Sequence, residues 1–178
     1  MKFEPTALPG VMLVRAEPVE DARGVFARSF CADEFRAQGL DARVAQASSS
    51  VTSRRGTLRG MHWQAAPSAE AKLVRCVRGK VYDVALDLRP SSLAFCKWVA
   101  FELAAGNRDA LYLPEGVAHG FQALEDDVEL HYQMSAPYHP EAGRGVRWND
   151  PAFGIAWPIA NPQLSERDAS YPDFKPTR

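Results

Sequence analysis

The chain has 178 residues, 46% of them hydrophobic and 24% charged, with a formal net charge of -1. This length fits one domain, and the composition supports a sizeable core and excludes a disordered chain. It also lacks the basic excess that a nucleic-acid reader needs to neutralise phosphates, although a few local Arg and Lys residues suffice for a small anionic ligand.

The first 14 residues contain one Lys and the Pro9-Gly10 break, with no apolar run of the kind a signal peptide carries. Nowhere does the chain approach the ~18–20 apolar residues that span a bilayer. A soluble, cytoplasmic protein is expected. Cys31, Cys76 and Cys96 are odd in number and match no zinc spacing, so they are expected to be reduced and structural.

In chain order, Ala32 to Gln38 reads as a short amphipathic helix stopped by Gly39. Tyr82, Val84, Leu86 and Leu88 alternate with Asp83, Ala85, Asp87 and Arg89, the period-two pattern of a half-buried strand. Val99, Phe101 and Leu103 repeat the pattern, as do Val128, Leu130, Tyr132 and Met134 against Glu129, His131 and Gln133. Turn residues separate these runs at Arg78-Gly79, Arg89-Pro90, Ala105-Gly106-Asn107 and Pro114-Glu115-Gly116. Many short strands punctuated by turns indicate an all-β sandwich or barrel. A single domain is expected over residues 1–178, with an irregular tail from about residue 157 that packs across the barrel.

Two clusters carry the chemistry. Gly60-Met61-His62-Trp63-Gln64 is followed by Lys72 and Gly79, and a second cluster runs Pro114-Glu115-Gly116-Val117-Ala118-His119. Together they resemble the two motifs of the cupin superfamily, which implies a jelly-roll barrel with short peripheral helices. Metal cupins carry a second His where Gln64 stands and a carboxylate where Lys72 stands. An ammonium repels a divalent cation, and two remaining His residues make a poor site for one. The pocket therefore reads as metal-free and suited to acid–base work. Lys72 shares the inward parity of Val74 and Cys76, where a lysine needs an anionic partner or ligand.

The resemblance narrows on longer runs: Gly56 to Gln64, Ala71 to Arg75, Pro114 to Phe121, and Arg147-Trp148-Asn149-Asp150-Pro151. With Arg23-Gly24-Val25-Phe26 and Leu164 to Ala169, these are similar to the dTDP-4-dehydrorhamnose 3,5-epimerase family from about residue 10 to residue 172. That resemblance implies inversion beside the 4-keto group of a nucleotide-linked 6-deoxyhexose, without metal or cofactor, in a strand-exchanged homodimer. By matching motifs, His62 becomes the base, Asp168 its partner, Tyr132 the acid on the opposite face, and Lys72 the enolate stabiliser. Substrate contacts fall to Arg23, Phe26, Arg28, Gln46, Ser48, Arg59, His119, Tyr138 and Arg167. His131 and His139 read as surface residues, and Trp148 and Trp157 as packing.

Several positions depart from the family pattern. Arg28 stands where many members carry Glu, Ala47-Ser48-Ser49 replaces Asp-Asn-His, Gly143 falls where an acidic residue is common, and Arg167 replaces Lys. These departures leave open a CDP- or GDP-linked sugar in place of the dTDP sugar, and inversion at C3 or C5 alone. The competing readings are a metal-dependent cupin, a 3,4-ketoisomerase, and a silent sugar-nucleotide binding module. The last is disfavoured because binding alone does not demand His62, Tyr132, Lys72 and Asp168 together.

Overall fold

The computed structural model describes residues 1–176. Its strands follow in chain order as β1 (Lys2–Pro5), β2 (Met12–Arg15), β3 (Val19–Asp21) and β4 (Gly24–Phe26). After helix α1 (Ala32–Ala37) come β5 (Gln46–Thr52), β6 (Leu58–Gln64), β7 (Lys72–Arg78), β8 (Lys80–Asp87) and β9 (Trp98–Ala104). They are followed by β10 (Ala110–Leu113), β11 (Val117–Ala123), β12 (Val128–Met134), β13 (Gly143–Gly145) and helix α2 (Glu166–Ala169).

Two antiparallel sheets face each other. One has the order β1-β2-β10-β7-β12-β5 and the other β13-β6-β11-β8-β9, while β3 and β4 form a separate hairpin. This is the jelly roll that the cupin motifs imply. The barrel core lies between the sheets, where Val74, Leu111, Leu113 and Leu130 of the first meet Val81, Ala85, Leu103 and Phe121 of the second. Each Val, Leu or Phe side chain among them, fully withdrawn from water, contributes about 1.5–3 kcal/mol.

Both sheets also bury their outer faces. Met61, Val84, Leu86 and Ala118 lie under Val146, Phe153, Ile155, Trp157 and Phe174 of the C-terminal tail. On the other side, Phe35 of α1 packs on Val14, Leu73, Ala110 and Tyr112. These covers correct the expectation of a half-buried strand over Tyr82 to Leu88. Asp83, Ala85 and Asp87 are fully buried, and Ala85 belongs to the barrel core. Tyr82, Val84 and Leu86 instead face the tail. A strand covered on both faces keeps its alternation but no longer marks which parity faces inward.

The predicted helix appears as α1, one residue shorter than expected and followed by Gly39. The tail packs across the five-stranded sheet, its cover beginning at Val146. Among the described residues, Cys31 and Cys76 form no disulfide. No helix among the described residues is long and apolar enough to cross a membrane.

Candidate active site

His62 on β6 lies directly opposite His119 on β11 in the antiparallel register. One step along, Phe121 pairs with Arg59, so β6 spends three residues where β11 spends two. The extra residue is a bulge at Gly60-Met61, which turns both Arg59 and His62 into the barrel although their spacing is odd. Glycines make the bulge sterically possible. A Cβ at Gly60, where φ is +136°, would stand 2.5 Å from the Cα of Gly120. Any side chain at either position would push β6 and β11 apart and separate the two histidines.

Each histidine holds a carboxylate. His62 Nε2 is 2.6 Å from Asp168 Oδ1, and the other Asp168 oxygen accepts the Gly60 N–H at 3.3 Å. Asp168 reaches this position because the tail runs beside the start of β6, where the Leu58 N–H donates to the Gln163 carbonyl at 2.9 Å. Ser165 then caps α2, accepting the Asp168 N–H at 3.1 Å. Burial opposes the Asp168 carboxylate. The hydrogen bond and charge of His62, with donors from Gly60 and Ser165, outweigh it and hold the pKa below the ordinary value.

The second pair is deeper. His119 Nε2 is 2.9 Å from Asp83 Oδ2, with side-chain exposures of 7% and 0%, against 38% for His62. The edge of the His119 ring meets the Tyr132 ring with centroids 5.8 Å apart and planes at 77°. Burial, reinforced by Asp83 and opposed by Arg59, raises the Tyr132 hydroxyl pKa far above its ordinary value. That hydroxyl therefore stays protonated through the physiological range.

Tyr132 and Lys72 come from the other sheet. β12 pairs with β7 so that Tyr132 faces Val74, and Lys72 lies two residues from Val74 on the same strand face. Lys72 Nζ lies 3.0 Å from a Glu70 carboxylate oxygen, both side chains being largely buried. Glu70 is thus the anionic partner that the buried lysine requires. Gln64 does not act as a spare ligand: its amide nitrogen donates to Glu70 and to the Ser68 and Pro137 carbonyls, and its oxygen accepts the His139 N–H. Among the described residues, no three His, Cys, Asp or Glu side chains group as metal ligands.

These side chains line a cleft of two adjoining lobes, about 580 Å³ and 400 Å³, which share Ser48, His62, Lys72, Tyr132 and Arg167. Arg59, His119 and Asp168 line the larger lobe, and Gln46 and Tyr138 the smaller. Arg59 is aimed by β5, donating to Thr52 Oγ1 at 3.1 Å and to the Val51 carbonyl at 3.3 Å. Gln46 accepts the Tyr138 N–H at 2.9 Å. Arg23 and Phe26 stand apart on the β3–β4 hairpin, where Phe26 is 76% exposed and Arg23 pairs with Asp21. Arg28 pairs with Glu34 at α1. These three do not reach the cleft of their own chain.

Sequence reading missed Asp83, Glu70 and Tyr171. Asp83 sat on the parity taken for solvent. Glu70 precedes Lys72 by two residues in the loop leading into β7 and carried no motif of its own. Tyr171, whose ring lies 6.3 Å from that of His62, carried no signal of its own.

Fold and cleft together define a cupin-type jelly roll whose barrel carries two histidine–carboxylate pairs, a buried tyrosine and an ion-paired lysine. A profile of the dTDP-4-dehydrorhamnose 3,5-epimerase family matches residues 5–176. The chain belongs to this family. It is 42% identical to a dTDP-4-dehydrorhamnose 3,5-epimerase of Sinorhizobium fredii over 175 residues, covering 98% of this chain and 90% of that one. It is also 42% identical to a dTDP-4-dehydrorhamnose 3-epimerase of Streptomyces niveus, covering 94% and 81%. The crystal structure of dTDP-4-dehydrorhamnose 3,5-epimerase from Elizabethkingia anophelis superposes with a TM-score of 0.94 at 37% identity, over 98% of this chain and 96% of that one.

Proposed function

We propose that this protein epimerises C3 and C5 of dTDP-4-keto-6-deoxyglucose, giving dTDP-4-keto-L-rhamnose. The observation that carries this reading is the origin of the two proton-handling groups. His62 projects from one sheet and Tyr132 from the other, into one cleft. A sugar ring held between them meets a base on one face and an acid on the other, which is what inversion of a C–H centre requires.

Protons on C3 and C5 are removable because the C4 carbonyl takes up the charge as an enolate. With Nε2 of His62 engaged by Asp168, Nδ1 is the nitrogen left to accept the proton. Asp168 supports the imidazolium that results. Lys72 offers its ammonium to the enolate oxygen, and donors in such positions contribute about 2.7–4 kcal/mol. Tyr132 gives its hydroxyl proton to the opposite face. Solvent then takes the proton from His62 and restores the one on Tyr132. No metal or cofactor enters this scheme.

Arg59 and Arg167 suit bidentate contact with a diphosphate, and Gln46, Ser48, His119 and Tyr138 supply polar and aromatic contacts around it. Arg23, Phe26 and Arg28 join the site from a second copy in a homodimer. The exposed Val19 and Phe26 of the β3–β4 hairpin and the open edge of β5 support that assembly. We take the chain as one domain acting in the cytoplasm on a soluble nucleotide sugar.

The test is proton and carbon NMR of the product from dTDP-4-keto-6-deoxyglucose. Inverted C3 and C5 with the carbonyl still at C4 is the expected result. Inversion at C3 alone places the protein with the 3-epimerases, a reading kept open by its likeness to the Streptomyces niveus enzyme. A carbonyl moved to C3 identifies a ketoisomerase and overturns the proposal.

A further inference from the structure

The reaction above uses one histidine–carboxylate pair, and the barrel contains two. The second is the costlier one. Asp83 is fully buried, and its Oδ1 has no hydrogen-bond partner among the described residues. A carboxylate oxygen withdrawn from water without a donor works against folding, so packing alone does not account for it. Its neighbours suggest what it serves. His119 bonds Asp83 through Nε2, faces His62 across the β6–β11 ladder, and sets its ring edge against Tyr132. His119 thus faces the base and touches the acid, with Asp83 behind it on β8.

We propose that Asp83 and His119 are positioning residues for Tyr132, and that they decide whether the carbanion is protonated with inversion or with retention. The inference rests on the epimerase reading. Once His62 has removed a proton, the carbanion has two sources of a replacement: the proton held on His62, which restores the starting centre, and the hydroxyl of Tyr132, which inverts it. The outcome depends on how constantly the phenol is aimed into the cleft in its protonated form. His119 supplies the aim by packing on the ring, and Asp83 fixes His119. The negative charge of Asp83 also acts in the direction that keeps the Tyr132 hydroxyl protonated.

The test measures two rates on one sample. In deuterated water, wash-in of deuterium at C3 and C5 reports proton removal, and the change of configuration reports delivery from the far side. Asp83→Asn keeps size and shape while removing the charge. It is expected to retain wash-in within about threefold while inversion falls at least about tenfold, as in Tyr132→Phe, because positioned acids contribute roughly 10²–10⁴-fold. His119→Gln is the second variant: it can still bond Asp83 but withdraws the ring from Tyr132, and the same change in ratio is expected. A merely structural role lowers both rates together and leaves their ratio at the wild-type value in both variants. That result, or no change at all, overturns the proposal. Absence of wash-in in the wild-type protein is a separate outcome and removes the epimerase reading itself.

Discussion

The ring of Tyr171 fills the space that a side chain at Gly145 would occupy: a Cβ there would stand 2.1 Å from Tyr171 Cζ. Gly145 on β13 is the register partner of His62, so Tyr171 packs beside the proposed base. Arg167 donates from Nε to the Tyr171 hydroxyl at 2.8 Å, which ties the ring to α2, the helix that carries Asp168. Gly145 thereby makes room for the element that brings Asp168 to His62.

Gly145→Ala is expected to displace Tyr171 and loosen the His62–Asp168 contact. Overpacking of this kind costs about 1–3 kcal/mol. Adding Tyr171→Ala vacates the space, so the two changes should couple by about 0.5–3 kcal/mol in a double-mutant cycle on thermal stability. Additive effects would show that the two positions do not meet.

His62→Ala should abolish deuterium wash-in at C3 and C5, and Asp168→Asn should lower turnover by about 10²–10⁴-fold, the usual share of a positioned base. Both variants should bind dTDP with nearly unchanged affinity, measured by calorimetry. Normal wash-in in His62→Ala would remove it from the base role.

Much of this site was legible in the sequence, for identifiable reasons. His62, Lys72 and His119 lie in short runs whose spacing is set by strand and turn geometry, and Tyr132 shares the parity of Val128 and Leu130, which point into the core. Arg59 was found only by resemblance, since parity alone sets it opposite to His62 and the bulge reverses that. Asp83 was misassigned because the C-terminal tail covers the outer face of β8, and that cover comes from residues more than 60 positions away. The distance between the β3–β4 hairpin and its own cleft is a matter of tertiary placement that no local pattern encodes.

The pH dependence of stability follows from Asp168. Its folded pKa lies below the unfolded value, so its stabilising contribution is present above the unfolded value of about 3.9 and is lost as pH falls through the folded pKa. The melting-temperature gap between wild type and Asp168→Asn should be constant near neutrality and close as pH drops below about 4. A gap that widens on acidification would contradict the hydrogen bonding assigned to this carboxylate.

Glu70→Gln should expose the dependence of Lys72 on its partner. The amide preserves volume but removes the charge that faces the ammonium at 3.0 Å. Turnover should fall by roughly tenfold or more with little change in KM, since only an interaction stronger in the transition state lowers turnover selectively. A rise in KM at unchanged turnover would assign Lys72 to ground-state binding.

The proposed inversion at carbons flanking a ketone needs a base and an acid on opposite sheets. It is tested most directly by incubating the wild-type protein with dTDP-4-keto-6-deoxyglucose in deuterated water and following C3 and C5 by NMR. Deuterium at both carbons together with inverted configuration is the expected result. Deuterium at neither carbon would contradict it.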